Sequence, residues 1–487
     1  MQKKLYIFFS STILLLCPIT LLAEQPEKGK LQLSLSQAVE LSLENNLNLK
    51  LRQEDVAFAK GDTQKAEARF DTFLSAEASA QSKEMTPIFQ HGSKEERNRQ
   101  LNGNIQKRFI TGTEIDLGIR NGRFENDAEG LLFDPAYNST LSLSISQPLM
   151  KGWGTNIQTA EIQAAEKRLQ ASTYLVDSQA ADLAALVKKA YWNLVFAWQD
   201  IEVQKLSLTL ANTLLEETEA KIDAGKLAPV EIYQPQSEVA RREETLIASE
   251  RAIGVADDEL KLLLNSKDWL TVFDPIEKPD IRPVQLNQQV ILSNALTNRP
   301  DVKAVDLQVD AAIIKARLAE DNIRPSLALI GMVGYGGTDE TYNDALDAAF
   351  NDTDTEWQVG LNFSVPLSND AAKGTLTQAI ATRNKSKANA ELLRLQVKKA
   401  VRTTVRDVNL AIKAMEATRK TSLATLKRLE AEQAKFEAGR STTLDVLIAQ
   451  DAYSQALSQE NRTNIVYVQS LAEIDRIQGL VTISYIR

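Results

Sequence analysis

The sequence predicts an exported α+β protein built from two similar halves, in which long helices carry short half-buried strands. Three observations support this fold class. A glycine turn occurs twice, at Gly225 and Gly439, which stand 214 positions apart. Segments that alternate strictly between apolar and polar residues precede each of two long proline-free helical segments. The N-terminal residues 1–23 have the composition of a secretory signal.

The predicted signal peptide has three recognisable parts. Lys3 and Lys4 come before an apolar run that ends at Leu22, and Ala23 then meets the charged segment EQPEKGK. We expect cleavage after Ala23, with a retained signal anchor as the alternative. Cys17, the only cysteine, lies inside this segment. The mature chain would therefore have no disulfide and no cysteine metal site.

Composition argues against several function classes. Among 487 residues, 43% are hydrophobic, which argues against disorder. The net charge of −9, without any Lys/Arg cluster, disfavours nucleic acid as a partner. His91 is the only histidine, and no catalytic, metal or cofactor spacing occurs, so the sequence predicts no enzyme, metal site or cofactor. After residue 23 no run of about 18 apolar residues remains, so any membrane crossing must be made by strands.

Similar segments define two repeats of unequal length. NNLNLK, at 45–50, matches NRPDVK, at 298–303, and LSLSISQPL matches LNFSVPL. Pro148 and Pro366 are 218 positions apart, close to the spacing of the two glycine turns. We therefore divide the mature chain into a first repeat, 24–265, a proline-rich connector, 266–285, and a second repeat, 286–487.

The strands are predicted at about 70–149 and about 325–367. Leu141, Leu143 and Ile145 alternate with serines, and the segment from Trp357 to Val365 alternates in the same way. Period two with one apolar face indicates half-buried strands. The first repeat holds 35 additional residues, which fit a hairpin at about 98–123 with a turn at Thr111-Gly112. The sequence leaves open whether this hairpin joins the main sheet or decorates it.

The predicted helices are unusually long. The segments from about Thr159 to Ala224 and from about Ala372 to Ala438 contain no proline. Each would span roughly 100 Å at 1.5 Å per residue. Apolar residues recur along both at spacings of three and four, which indicates coiled-coil-like packing. Each segment ends at a tip, near 225 or 439, where glycine allows the left-handed conformation. In the second tip Ser441, Thr442 or Thr443 can cap the next helix.

The order of these parts resembles the TolC-like outer-membrane efflux family. The resemblance covers nearly the whole mature chain and lies in SQPLMKGWG, KKAYWNLVFAW, ALTNRPDV and the paired turns DAGKLAPVEI and EAGRSTTLDVL. It implies an α+β membrane protein: a homotrimeric 12-strand outer-membrane β-barrel, four strands per chain, continuous with a periplasmic coiled-coil tunnel. It further implies an exit duct recruited by a periplasmic adaptor and an inner-membrane pump. If the hairpin enters the barrel, each chain contributes six strands instead of four.

Two acids at the tips are candidates for a selectivity ring. Glu231 and Asp445 each stand six residues after a tip glycine, in the first turn of the next helix, where the helix dipole favours a negative charge. Repeated around a three-fold axis, each would form an acidic ring that favours cations.

The family's best-known gate pattern is only partly present. Ile448 stands where that pattern has a second acid, Phe436 where it has a tyrosine, and Ser441 where it has an arginine. Phenylalanine has no hydroxyl to donate. We therefore expect a different latch, in which Arg440 pairs with Glu231 or Asp223 across neighbouring tips.

The resemblance also suggests contact residues. Small or apolar residues at the tips are expected to meet the adaptor: Gly225, Leu227, Ala228, Gly439 and Ser441. Trp153 and Trp357, which flank strands, are expected at the two membrane interfaces. The acidic loop 339–356 is predicted outside the cell, either as a divalent-ion site or as a solvated loop.

Some alternatives stay open at the sequence level. A periplasmic coiled-coil scaffold that never spans the membrane is the second candidate function, and the alternating strands before Pro148 and Pro366 argue against it. The transported substrate, and whether the pump is driven by protons or ATP, are not specified by the sequence.

Overall fold

The computed structural model describes residues 29–86, 93–128, 130–351 and 354–479. The predicted signal peptide 1–23, with Cys17, lies outside the described residues, and so does His91. Within these four ranges no helix is both long enough and apolar enough to cross a membrane.

Eight strands and ten α-helices make up the described chain. As far as residue 264 the elements are β1 (Lys30–Leu33), α1 (Leu35–Asn45), α2 (Leu47–Glu67), β2 (Thr72–Glu84), β3 (Glu95–Arg108), β4 (Glu114–Asn126), β5 (Ala136–Pro148), α3 (Thr155–Gln158), α4 (Ala160–Asp223) and α5 (Tyr233–Leu264). The later elements are β6 (Val272–Pro275), α6 (Gln288–Asn298), α7 (Pro300–Asp321), β7 (Ser326–Asp339), α8 (Tyr342–Asn351), β8 (Asp354–Ser364), α9 (Asp370–Glu437) and α10 (Thr443–Gln478).

Six strands form one antiparallel sheet in the order β2-β3-β4-β5-β7-β8. The additional hairpin, β3–β4, lies inside it, because β3 pairs with β2 along its length and β4 pairs with β5. The sheet of one chain therefore contains six strands, the larger of the two numbers that the sequence left open. Inserting a hairpin adds two strands of opposite direction. Its first strand can therefore pair antiparallel with β2, and its second strand can pair antiparallel with β5.

The helices form a wall that is four helices wide at two levels. Near the sheet the order of neighbours is α2, α4, α7, α9, and towards the far ends of the long helices it is α5, α4, α10, α9. Helices α4 and α9, with 64 and 68 residues, run through both levels. The apolar stripes predicted from the sequence are largely buried in this wall: Leu194 on α4, and Val401 and Val408 on α9, are fully buried, whereas Leu186 is 52% exposed.

A small parallel sheet fastens the connector to the middle of the helical wall. It consists of β1 and β6. The Tyr191 hydroxyl of α4 donates to the carbonyl of Leu33 at 3.0 Å, and the Trp198 indole donates to that of Phe273 at 3.1 Å. These bonds attach both strands to α4 between the sheet and the tips.

Candidate functional site

One face of the six-stranded sheet has a row of side chains that is apolar from edge to edge. Residues directly opposite in neighbouring strands share a face, so the register defines rows across the sheet. One row contains Leu74, Ile105, Leu117, Leu143, Val333 and Trp357. Its end members Leu74 and Trp357 are 78% and 74% exposed. A continuous uncovered apolar face of this kind suits contact with hydrocarbon rather than water.

The opposite face of the same sheet has a row that is polar or small, although Phe73, Ile330 and Met332 also stand on that face. The adjacent row contains Ser75, Asn104, Gly118, Ser142, Gly334 and Glu356. A sheet whose strands alternate between an apolar side and a polar side can form a wall between lipid and water.

The two predicted interface tryptophans lie at different levels of this sheet. Trp357 stands near the start of β8, at the end remote from the helices. Trp153 follows β5 at the helical end and is 62% exposed. Trp357 pairs with Val333, in the middle of β7, so only Trp153 lies beyond an end of the sheet.

The acidic loop between β7 and β8 contains α8. Asp344 accepts a hydrogen bond from the Thr341 hydroxyl at 2.6 Å, and Asp347 accepts one from the Asn351 amide at 2.7 Å. Among the described residues no group of three or more His, Cys, Asp or Glu side chains could hold a metal ion. In the described part of the loop these two carboxylates therefore serve local bonds.

Both tips end their long helix with the same turn. Gly225 and Gly439 have φ of 74° and 71°. The amide of Lys226 donates to the carbonyl of Lys221, and the amide of Arg440 donates to that of Lys435, each at 2.8 Å. This bond over five residues, with a left-handed glycine inside it, satisfies the last carbonyls of a helix.

Replacing Gly439 with Ala should destabilise this turn by about 1–2 kcal/mol, because an L residue is strained at positive φ. No neighbouring atom lies within 4 Å of the place that a Cβ would take, so strain is the only cost. The same change at Gly254, inside α5, meets no clash either and should stabilise the protein by about 0.5–1 kcal/mol. The thermal unfolding midpoints of the two variants should shift in opposite directions, and shifts of one sign would contradict this account.

The two tips of one chain are joined by a small apolar cluster around Phe436. This ring, at the end of α9, is 2% exposed and packs with Leu214, Val446 and Leu447. Lys221, in the last turn of α4, donates to the Phe436 carbonyl at 2.7 Å and places its ammonium 3.3 Å from the ring centroid. Burial lowers the pKa of Lys221. The sequence indicated only that Phe436 lacks a hydroxyl, and its apolar role depends on contacts with distant segments.

Asp445 has a capping role in one chain. Its carboxylate accepts bonds from the Thr442 amide at 3.2 Å and the Thr442 hydroxyl at 2.6 Å, while its own amide donates to that hydroxyl. Of the three possible caps, Thr442 is therefore the one used. These bonds with Thr442 lower the pKa of Asp445. The carboxylate consequently stays ionised at neutral pH, and protonation would weaken the cap only as the pH falls below the ordinary aspartate range.

The predicted latch residues do not meet within one chain. Arg440 and Asp223 are exposed and Glu231 is half-buried. Between the described residues of this chain, no ion pair joins Arg440 to either acid. Ser441 instead donates to Glu432 at 3.0 Å.

The predicted adaptor contacts differ in their exposure. Gly225, Ala228 and Gly439 are exposed, whereas Leu227 is half-buried against the Phe436 cluster.

An ion-pair network above the tips was not predicted from the sequence. Arg241 of α5 bonds to Glu238 at 2.9 Å and to Asp451 of α10 at 3.2 Å, and buried Arg242 bonds to Glu238 at 2.7 Å. Although burial alone would raise the pKa of Glu238, the two guanidinium groups hold it below its ordinary value. Arg241 and Asp451 are 210 residues apart, so no local pattern could reveal the pair.

A groove of about 670 Å³ lies beside this network, between α5 and α10. Leu444 and Ile448, each 47% exposed, line it together with Tyr233 and Asp451. Ile448, the residue that stands where a second acid was expected, therefore contributes apolar surface to this groove.

The geometry defines the class of protein: an outer-membrane channel component, with a two-sided sheet for the bilayer and a long helical extension. The comparisons agree. The family model for outer membrane efflux proteins matches residues 62–266 and 291–480, and the chain belongs to this family. It is therefore located in the outer membrane and extends into the periplasm.

Individual relatives share the fold at low identity. The outer membrane protein TolC of Vibrio cholerae is 25% identical over 349 residues, covering 70% of this chain and 76% of that protein. The CmeC outer membrane channel of Campylobacter jejuni has a TM-score of 0.67 at 16% identity, covering 91% of this chain and 85% of that one. VceC of Vibrio cholerae has a TM-score of 0.67 at 18% identity, with 91% and 96% covered.

Proposed function

We propose that three copies of this chain form a passive exit duct across the outer membrane and the periplasm. The observation that carries the proposal is the continuity, in one chain, of a sheet with one apolar face and a wall of four helices. Open sheet edges would leave backbone groups unsatisfied in hydrocarbon, so the sheets of several copies must close on one another. Three four-helix walls give the twelve-helix tunnel that the family resemblance implies.

The duct receives its substrate from an inner-membrane pump through a periplasmic adaptor, in a tripartite efflux system or a type I secretion system. The groove between α5 and α10 is consistent with binding of an adaptor, because it offers apolar side chains between two helices close to the tips. We propose Gly225, Leu227, Ala228, Gly439 and Ser441 as contacts, with Leu227 acting through the Phe436 cluster that it supports.

The remaining sequence predictions fit this assembly. We propose that segments 24–265 and 286–487 are structural repeats joined by the connector 266–285, each supplying strands and a helix pair. Trp153 and Trp357 would mark the two interfaces of the membrane, since both are exposed and lie at different levels of the sheet.

The duct itself is tested with the purified mature chain. A trimer that withstands mild heating in outer-membrane fractions and forms discrete conductance steps in planar bilayers is expected. A mature chain that stays soluble without detergent and forms no pores would instead support the periplasmic scaffold.

The proposed latch has its own test in the same bilayers. If Arg440 pairs with Glu231 or Asp223 of a neighbouring tip, Arg440→Ala should raise the conductance of the isolated channel. One exposed ion pair contributes under about 1 kcal/mol, so the increase should be modest and should shrink at high salt. Lys226→Ala, which removes an exposed cation from the other tip, is the matched control. Equal conductance of Arg440→Ala and the unmodified channel would exclude this latch.

A further inference from the structure

We infer that the hairpin β3–β4 is part of the membrane wall, and that three copies close an eighteen-strand barrel by pairing β2 of one copy with β8 of the next. This inference rests on the proposed function and goes beyond it, because the family resemblance implies twelve strands. In this arrangement each open edge of the sheet is covered by another copy of this chain.

The side chains of the hairpin continue both faces of the sheet. Ile105 and Leu117 stand in the apolar row between Leu74 and Leu143. On the same face Leu101 is 59% exposed, and the cations Arg99 and Lys107 stand on either side of this apolar segment. The other face of β3 carries only amides at five successive positions: Asn98, Gln100, Asn102, Asn104 and Gln106. A hairpin that merely decorated the protein in water would not need an uncovered apolar side matched to its neighbours.

The two open edges are suited to each other. The sheet has six strands, so β2 and β8 run in opposite directions and can pair antiparallel between copies. On the apolar face β2 carries small residues at Ala76, Ala78 and Ala80. On that face β8 carries Val359, Leu361 and Phe363, which are 61–69% exposed in a single chain. Bulky side chains beside small ones can interdigitate across such a seam.

The stagger of the sheet also fits closure. The row that starts at Thr72, where β2 leaves the helices, reaches Val359 on β8, five positions before the strand returns to the helices at Ser364. That is about one residue for each strand pairing. With a rise of about 3.3 Å and a spacing of about 4.8 Å, the strands would tilt by about 35°, at the lower end of the range for barrels.

Eighteen strands match the width of the helical tunnel. Tilted by about 35–45° and spaced about 4.8 Å apart, they give a circumference of about 105–120 Å. Twelve helices spaced about 8–10 Å apart give about 95–120 Å. Twelve strands at the same tilt would give only about 70–80 Å. With the hairpin in the wall, the membrane barrel is therefore as wide as the tunnel.

Cysteine labelling tests whether the hairpin lines the pore. Ile105→Cys and Asn104→Cys form one pair, and Leu143→Cys and Ser142→Cys form the matched control pair in the same two rows of β5. In proteoliposomes of the full mature channel, a charged maleimide should label the Asn104 and Ser142 variants at least tenfold faster than the Ile105 and Leu143 variants. Equal labelling at 104 and 105, with the alternation on β5 intact, would overturn the inference alone. Loss of alternation on β5 as well would overturn the proposed duct.

Crosslinking tests the seam between copies. Ala76→Cys combined with Leu361→Cys, or with Val359→Cys for the adjacent register, should give covalent trimers on oxidation, whereas Ser75→Cys with Leu361→Cys, on opposite faces, should not. Absence of crosslinks in both registers would contradict the pairing of β2 with β8. If the particle mass corresponded to two copies, the barrel would contain twelve strands, and the proposed number of eighteen strands would be wrong.

Discussion

Arginine in place of Leu143 should remove the proposed trimer from the outer membrane. Leu143 lies in the centre of the apolar row, between Leu117 and Val333. A cationic side chain on the lipid face of a strand costs about 2–4 kcal/mol near the middle of the bilayer. In a trimer the cost occurs three times, which is comparable to the whole stability of many domains. The amount of heat-resistant trimer in outer-membrane fractions measures the effect.

The neighbouring residue provides the control for this substitution. Ser144 follows Leu143 by one position in β5 and therefore points to the polar face. Ser144→Arg should leave the amount of trimer nearly unchanged and shift the ion selectivity of the pore towards anions, because it adds one cation per chain to the water-filled side. Equal loss of trimer in both variants would show that the two faces are not lipid and water.

Truncation of Phe436 to Ala should loosen the tips. The ring is 2% exposed among Leu214, Val446 and Leu447, and it also stacks with the Lys221 ammonium. Removing a buried phenylalanine side chain costs about 3–5 kcal/mol, because it takes away both apolar burial and close contacts. Since this cluster joins α4 to α9 and α10, the two tips of a chain should separate more easily. We expect a higher single-channel conductance and faster proteolysis near residue 439.

Two variants separate loosening of the tips from general damage. Phe436→Leu keeps most of the apolar volume and should lie between Phe436→Ala and the unmodified channel. Ile448→Ala truncates a residue that is 47% exposed in the same region and should leave conductance unchanged. If Phe436→Ala conducts like the unmodified channel while its trimer is less stable, the cluster serves folding and does not hold the tips closed.

The parts of the fold that follow from local sequence were predictable. The helices α4 and α9 extend over 64 and 68 residues because neither contains a proline or an interior break, and each stops where a glycine accepts a positive φ. The alternation at Leu141, Leu143 and Ile145 predicted a two-sided strand, and the register places these residues on one face.

The place of the hairpin was not predictable in the same way. Its outward positions include Gly103 between Leu101 and Ile105, so the alternation is weak along β3 alone. Whether it joins the sheet depends on backbone pairing with β2 and β5, which lie outside the hairpin, so the pattern of the hairpin alone does not decide it.

The tips also combine features that the local sequence sets with features that only tertiary packing sets. The sequence by itself determined the two glycine turns and the acid that follows each, because turn conformation and helix capping depend on a few adjacent residues. Only the tertiary structure decided that Phe436 is buried beside Lys221 and that Arg241 reaches Asp451. The physical reason is the separation along the sequence of the residues that interact. A turn is set by dihedral angles within six residues, whereas Lys221 and Phe436, 215 positions apart, meet only after α4, α9 and α10 have packed into one wall.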